Sequence, residues 1–281
     1  MSLVTMREIL KDARMGRYAI GAFEFWSYDS ARAVVSQAKE LGVPVILQVG
    51  PFEKDYMDGY ENARIIAEMA AEKYHIPVAL HLDHATNLTE CAEALEAGFT
   101  SIMMDASTHD YKTNVRLTND ARKLAEAYGA SLEAEIGMLG GNEGNIHNEE
   151  DEQTRPEDAK RFVEDTGVDC LAVAIGTAHG FYTKPPVINI ERLKQIAAVV
   201  DIPLVLHGGS GTPEDKVAEA VENGIAKVNI CTEFIAGYGK GFNGQNADGF
   251  KYNVNSLFRA GSDAGAAVAR HKMELFLSRR I

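Results

Sequence analysis

Eight short apolar runs alternate with amphipathic stretches along the whole chain, and this alternation limits the possible folds more than any other feature. The runs are YAIGAFEF (18–25), VPVILQVG (43–50), IPVALHLD (76–83), SIMMDAS (101–107), SLEAEIG (131–137), CLAVAIG (170–176), IPLVLHGG (202–209) and IAKVNICT (225–232). Most are nearly continuous in apolar residues, as expected of parallel strands buried on both faces. The segments between them, such as YDSARAVVSQAKELG and TPEDKVAEAVENG, carry apolar residues at helical spacing. They open on Asp or Thr and close on Gly, which are helix start and stop signals. Eight strand–helix units predict an α/β fold, a (β/α)8 TIM barrel. A β-branched residue followed by Pro opens the second, third and seventh runs, a faint echo of the repeat.

No Pro/Ser-rich linker divides the 281 residues, so a single domain over 1–281 is expected. After the eighth run, GYGKGFNGQNADGF leads into a C-terminal helical extension, SLFRAGSDAGAAVARHKMELFLS (256–278). That extension is longer than barrel closure needs, and it is expected either to cover the active site or to build an oligomer contact.

Three histidines stand where apolar runs give way to loop: His84 in ALHLDHA, His179 in AIGTAHG and His207 in LVLHGGSG. A parallel barrel gathers its strand ends at one rim however far apart they lie in sequence. Three neutral imidazoles with an open fourth position form a catalytic zinc site. Alternation places His81 and Asp83 on one face of the third strand end with His84 just beyond. The competing reading of this motif alone is a hydrogen-bonded polar cluster. Asp105 in MMDAS and Glu135 in LEAEIG face the same rim. They either orient the histidines or supply an alternate metal position, unless they form ordinary ion pairs with rim lysines. His75 falls at the opposite rim, and His147 and His271 lie in a polar loop and the C-terminal helix, where structural or solvated roles are expected.

The seventh run ends in GGSGTPED, read as a flexible turn followed by a helix with Thr212 as N-cap and Pro213 at its first position. Glycines bring backbone N–H groups close to an anion, and the loops after the last two strands of such barrels often hold phosphate. Ser210, Asn229 and Thr232 add side-chain donors. A net charge of −13 argues against nucleic acid as a partner but not against a small anion bound at helix N-termini. No apolar run is long enough to span a membrane, and the N-terminal residues lack a signal-peptide pattern. Cys91, Cys170 and Cys231 show no CxxC spacing. A reducing, cytoplasmic location is therefore expected, with Cys170 in the core. The acidic run 148–151 is expected to be a solvated loop.

In order and spacing, GAF, LDHA, MDAS, EAEIGMLGG, TGVDCLAVAIGTAHGFY, IPLVLHGGSGTP and KVNICTE resemble the class II, zinc-dependent ketose-bisphosphate aldolases over nearly the full length. The resemblance implies reversible cleavage of a ketose phosphate into dihydroxyacetone phosphate and an aldehyde through a zinc-stabilised enediolate. It implies His84, His179 and His207 as zinc ligands, and Asp105 and Glu135 at an alternate metal position. Asp83 becomes the acid/base beside the reacting oxygens, and Glu143 in GGNEG the group that moves the C3 proton. Gly180, Gly208, Gly209, Ser210 and the run Asn229, Ile230, Cys231, Thr232 match the dihydroxyacetone-phosphate half, near which a monovalent cation (Na⁺ or K⁺) is also implied. A homodimer or homotetramer is expected. No lysine Schiff base is needed, so Lys227 is expected to be structural.

The aldehyde half departs from that family. Glu24 follows GAF where Asn is usual, Gly50 ends the second strand where Ser or Thr is usual, and Asn255 stands where the fructose-bisphosphate members carry a phosphate-binding Arg. An aldehyde without a phosphate is expected, unless Lys251 or another subunit supplies the missing cation. Two other readings compete: a metal-dependent barrel hydrolase, which usually opens with an HxH that is absent here, and a non-catalytic partner subunit.

Overall fold

The computed structural model describes residues 3–137, 140–143, 146–148, 153–180, 186–244 and 253–277. In chain order the elements are α1 (Met6–Gly16), β1 (Ile20–Glu24), α2 (Tyr28–Leu41), β2 (Val45–Val49), α3 (Pro51–Tyr56), α4 (Tyr60–Tyr74), β3 (Val78–Ala85), α5 (Leu88–Ala97), β4 (Ser101–Met104), α6 (Tyr111–Tyr128) and β5 (Ser131–Ile136). They continue as β6 (Gly140–Glu143), β7 (Ile146–Asn148), α7 (Pro156–Thr166), β8 (Cys170–Val173), β9 (Ala178–His179), α8 (Ile190–Ala197), β10 (Leu204–Leu206), α9 (Glu214–Glu222), β11 (Ile225–Ile230), α10 (Thr232–Gly244) and α11 (Val254–Phe276). Strands β1, β2, β3, β4, β5, β8, β10 and β11 close into one barrel, in sequence order and parallel throughout, so the (β/α)8 expectation holds.

Local signals set the helix ends. Thr5 and Glu8 form a reciprocal capping box at the start of α1, and Ser27 and Ser30 do the same for α2. Left-handed glycines stop α2, α5, α6 and α7. Helix α1 lies against the N-terminal ends of the strands. The Val4 N–H donates to the Val78 carbonyl, and Arg7 pairs with Asp169 just before β8.

The rim departs from the strand ends expected from the apolar runs. Several strands leave the ladder earlier, so Asp105 and His207 each sit one residue beyond their strand. β8 ends at Val173, and His179 belongs instead to β9, which pairs with β6 in a small sheet of order β7-β6-β9. His179 is therefore not at the end of a barrel strand. It is carried to the rim by separate pairing, Gly141 opposite His179.

Thr212 is not an N-cap either. Helix α9 starts at Glu214 after Pro213, and the Thr212 hydroxyl donates to the Gly208 carbonyl across the turn.

The described part of the glycine-rich stretch after β11, 237–244, is helical. α10 runs to Gly244, and its glycines have a packing reason. A methyl group at Gly241 would stand 2.3 Å from the Ala260 carbonyl oxygen, and one at Gly237 would stand 2.5 Å from Val268. Only bare backbone lets α10 approach α11 this closely. α11 packs on α10, α2 and α9.

Candidate active site

The barrel interior is polar as well as apolar. Gln48, His81, Ser101, Glu133 and Lys227 are all fully buried. Contacts between strands that are not neighbours show that these side chains meet across the lumen. Lys227 on β11 donates to Glu133 on β5 at 2.8 Å, although β10 and β8 lie between those strands. Burial alone would lower the Lys227 pKa, but the Glu133 and Asp83 charges outweigh it and hold the ammonium above its ordinary value. An amine kept charged in this way is no Schiff-base nucleophile, in line with the structural role expected for it.

On β3 the pairing with β4 shifts between Leu82 and Ala85, leaving one extra residue on β3. Such a bulge breaks the alternation of faces, and His84 takes a left-handed φ of 48°. Consecutive residues are thereby both turned to the site: Asp83 Oδ2 and His84 Nε2 lie 3.9 Å apart. A backbone held in that region by a non-glycine residue is typical of functional positions.

The two imidazoles are oriented by carboxylates behind them. His84 Nδ1 lies 2.8 Å from Asp105 Oδ2, and His207 Nε2 lies 2.8 Å from Glu133 Oε1. Burial works to raise the Asp105 carboxyl. The hydrogen bond and charge of His84 and two donors from Ser107 outweigh it and hold the group at about 2. For Glu133, burial is likewise outweighed, first by Lys227 and then by His207, so its carboxyl lies well below the usual range. Both carboxylates are ionised acceptors, so His84 Nδ1 and His207 Nε2 carry the ring protons.

The remaining nitrogens, His84 Nε2 and His207 Nδ1, then present lone pairs to each other at 2.9 Å. Two lone pairs at that distance need a cation between them. Without a metal a proton on His84 meets this need, the charge that also lowers Asp105, while burial keeps His207 neutral; a divalent ion meets it with both rings neutral. A neutral histidine that donates its far N–H to a carboxylate is the usual arrangement of a metal ligand. The residues therefore fit a divalent metal ion, and the donor set suits zinc.

Around this pair lie further ligand-capable atoms. Glu135 Oε2 is 3.6 Å from His207 Nδ1 and has no hydrogen-bond partner among the described residues. Burial first and the Asp105 charge second push its carboxyl well above the ordinary range, as expected where a buried carboxylate lacks its counter-cation. His84, Asp105 and Glu135 form one set of donors close enough to share an ion, and Asp83, His84 and His207 form another.

Asp83 is held by two amides. Asn229 Nδ2 donates to its Oδ2 at 3.0 Å, and Gln48 Nε2 donates to the same oxygen at 2.9 Å. The second Gln48 amide hydrogen goes to Glu24 Oε2 at 2.8 Å, while Glu24 Oε1 accepts from the Gly50 N–H at 3.0 Å. Glu24 is thus buried in a network rather than standing as a bare charge.

Among the residues expected from sequence, Asp83, His84, Asp105, Glu135, His207 and Asn229 are brought together. Gly208 comes against β9, where a methyl group would stand 2.4 Å from the Ala178 carbonyl oxygen, and its φ is +65°. Gly209 would meet Val228 at 2.6 Å, so close packing alone accounts for both glycines. Ser210 is buried and accepts from the Glu233 N–H, Ile230 closes β11, and Cys231 and Thr232 are half-buried at the start of α10. Gly180 has a φ of +85° just after β9. Asn255 is exposed at the start of α11. The side chains of His179, Glu143 and His147, and Lys251 altogether, lie outside the described residues, as does most of the acidic run 148–151. His75 caps α4 ahead of β3, and His271 pairs with Glu214.

Sequence reasoning missed Glu133 and Gln48. In LEAEIG, Glu133 is two residues from Glu135, so the period of two that brings one carboxylate inside brings the other.

Residues 4–280 match the family described as Fructose-bisphosphate aldolase class-II. The chain belongs to the class II fructose-bisphosphate aldolase family. As a class II aldolase it is a carbon–carbon lyase, of a family that is zinc-dependent in general and acts on phosphorylated sugars. It is 37% identical over 279 residues to a fructose-bisphosphate aldolase of Geobacillus stearothermophilus, covering 98% of this chain and 97% of that one. It is 38% identical over 235 residues to a probable fructose-bisphosphate aldolase of Bacillus subtilis (strain 168), covering 83% and 82%. Among solved structures, the YdjI aldolase from Escherichia coli K12 superposes with a TM-score of 0.86 at 33% identity, covering 98% of this chain and 97% of that chain. No helix among the described residues is long and apolar enough to cross a membrane.

Proposed function

We propose that the chain is one aldolase domain over 1–281 that cleaves a ketose 1-phosphate reversibly into dihydroxyacetone phosphate and an aldehyde. The observation that carries this reading is the pair of imidazole lone pairs of His84 and His207, facing each other 2.9 Å apart beside Asp83. His84, His207 and His179 would hold one divalent ion, taken to be zinc, with Asp105 and Glu135 available as an alternate position. That ion would supply Lewis-acid stabilisation of the negative charge that develops as the carbon–carbon bond opens.

The chain's own residues would do the rest. Asp83, its carboxylate aimed by the amides of Gln48 and Asn229, takes the proton from the C4 hydroxyl. Glu143 returns a proton to C3. The turn of Gly208, Gly209 and Ser210, with Gly180 and the run Asn229, Ile230, Cys231 and Thr232, holds the dihydroxyacetone-phosphate half. Helices α9 and α10 begin there and direct backbone N–H groups at an anion, and a Na⁺ or K⁺ ion would accompany the phosphate. A homodimer or homotetramer in the cytoplasm completes the reading.

Metal removal is the first test. Chelation should abolish cleavage, and added zinc should restore it; activity that survives complete removal of the metal would refute the proposal.

The aldehyde partner follows from Glu24 and Gly50, with Asn255 a further candidate. The Gly50 N–H, a donor a phosphate could use, is taken by Glu24 and Glu53. Glu24 also places a carboxylate where a second phosphate would come, and like charges in a partly dry pocket cost several kcal/mol. Condensing dihydroxyacetone phosphate with phosphorylated and unphosphorylated aldehydes of equal length should favour the unphosphorylated set in kcat/KM by at least about tenfold. A higher efficiency with fructose or tagatose bisphosphate than with matched ketose 1-phosphates would reverse that assignment.

A further inference from the structure

The two helices that begin at the proposed phosphate loops carry acids where an anion needs positive potential. Glu214 and Asp215 lie in the first turn of α9, and Glu233 in the first turn of α10. Carboxylates there suit the helix macrodipole, but they weaken the attraction of the same N-termini for a second negative charge. One buried cation answers both helices. Lys272 of α11 is 4% exposed at its side chain, and its Nζ lies 2.8 Å from Glu233 Oε2 and 3.8 Å from Glu214 Oε1. The neighbouring His271 makes a second contact with Glu214 at 2.6 Å.

The Glu233 contact is ionic rather than a directed hydrogen bond, since Glu233 Oε2 has no hydrogen-bond partner among the described residues. The same Glu233 donates its backbone N–H to the hydroxyl of Ser210, inside the glycine-rich turn. Lys272 thus reaches the phosphate loops from α11, beside His271, and does so through charge.

We propose that Lys272 is a positioning residue for phosphate binding, cancelling the first-turn acids of α9 and α10 so that their N-termini attract the substrate's phosphate. The proposal rests on the reading that these loops hold the dihydroxyacetone-phosphate half. It differs from a purely mechanical tie between α9, α10 and α11 in the sign of what happens when one partner is neutralised. Removing the cation leaves the acids unbalanced and weakens anion binding. Removing the acid leaves the cation unbalanced and strengthens it. A mechanical tie is broken equally by either change.

The test is calorimetric titration of the metal-loaded enzyme with dihydroxyacetone phosphate, inorganic phosphate and unphosphorylated dihydroxyacetone. Lys272→Gln is expected to weaken the two phosphate ligands by about tenfold, as loss of one nearby unit charge in a partly buried site does, with dihydroxyacetone unaffected. Glu233→Gln, a partly exposed change that spares the core, should bind both phosphates at least as tightly as the wild type. The double variant should return to near wild-type affinity. Weakened phosphate binding in Glu233→Gln, or unchanged binding in Lys272→Gln, would overturn the proposal. Should Lys272→Gln not fold, the sign of the Glu233→Gln effect still decides. Wild-type enzyme that binds dihydroxyacetone as tightly as its phosphate would overturn the loop assignment itself, a result separate from either variant.

Discussion

His207→Ala is expected to lower metal affinity by more than about 100-fold, the upper end of what losing a mere outer-shell partner costs, and to remove cleavage with it. His207 joins both sides of the site. Its Nδ1 faces His84 Nε2 and its Nε2 donates to Glu133. Alanine takes away one of the two facing lone pairs, and it also leaves Glu133 with Lys227 and no imidazole donor. Metal content by elemental analysis, measured beside the cleavage rate, checks this. A variant that keeps a full complement of metal would mean that the ligands lie elsewhere.

A folding-stability measurement separates this from collapse of the barrel. Because Lys227 remains on Glu133, the buried carboxylate keeps one charged partner in the variant. Breaking a buried pair outright costs about 3–5 kcal/mol, and that larger loss is not expected here.

The barrel was legible because parallel strands buried on both faces leave runs of Val, Ile, Leu and Ala that nothing else in the chain imitates. The site was legible where residues fall at or just past strand ends, as Asp105 and His207 do. His179 was placed by the same rule and reaches the rim differently, through pairing of β9 with β6. Pairing between short segments such as GGNE and AH carries no apolar pattern to reveal it. The bulge in β3 was hidden for a related reason. HLDHA reads as regular alternation, and only the shifted register against β4 shows that Asp83 and His84 both turn to the site.

The polar interior was the larger gap. A strand such as VILQV looks apolar as a whole, and its single Gln48 is unremarkable until Glu24 and Asp83 are found on either side of its amide. Neighbours of this kind come from β1 and β3, and no local pattern in β2 announces them. They also change the meaning of Glu24. From sequence it is an anion in the place of an Asn, whereas the structure spends both of its oxygens on Gln48 and Gly50.

Asp83→Ala is expected to separate metal binding from bond cleavage. The Asp83 carboxylate is not tied into the imidazole pair: its Oδ2 accepts from Gln48 and Asn229 and stands 3.9 Å from His84 Nε2. Its Oδ1 has no hydrogen-bond partner among the described residues. A carboxylate so held, aimed by two amides and kept well below its ordinary range because the His84 charge, the His81 contact and Lys227 outweigh its burial, is the proposed base for the hydroxyl proton. Alanine removes the base and leaves His84 on Asp105 and His207 on Glu133, so the metal should stay. Loss of a positioned acid/base group costs about 10²–10⁴-fold in rate, and that drop is expected in kcat for cleavage. Exchange of the C3 proton of dihydroxyacetone phosphate, assigned to Glu143, should persist because it does not pass through the C4 hydroxyl. Cleavage and exchange falling together with the metal retained would give Asp83 both proton transfers. Parallel loss of metal and cleavage would make Asp83 a ligand instead of the base.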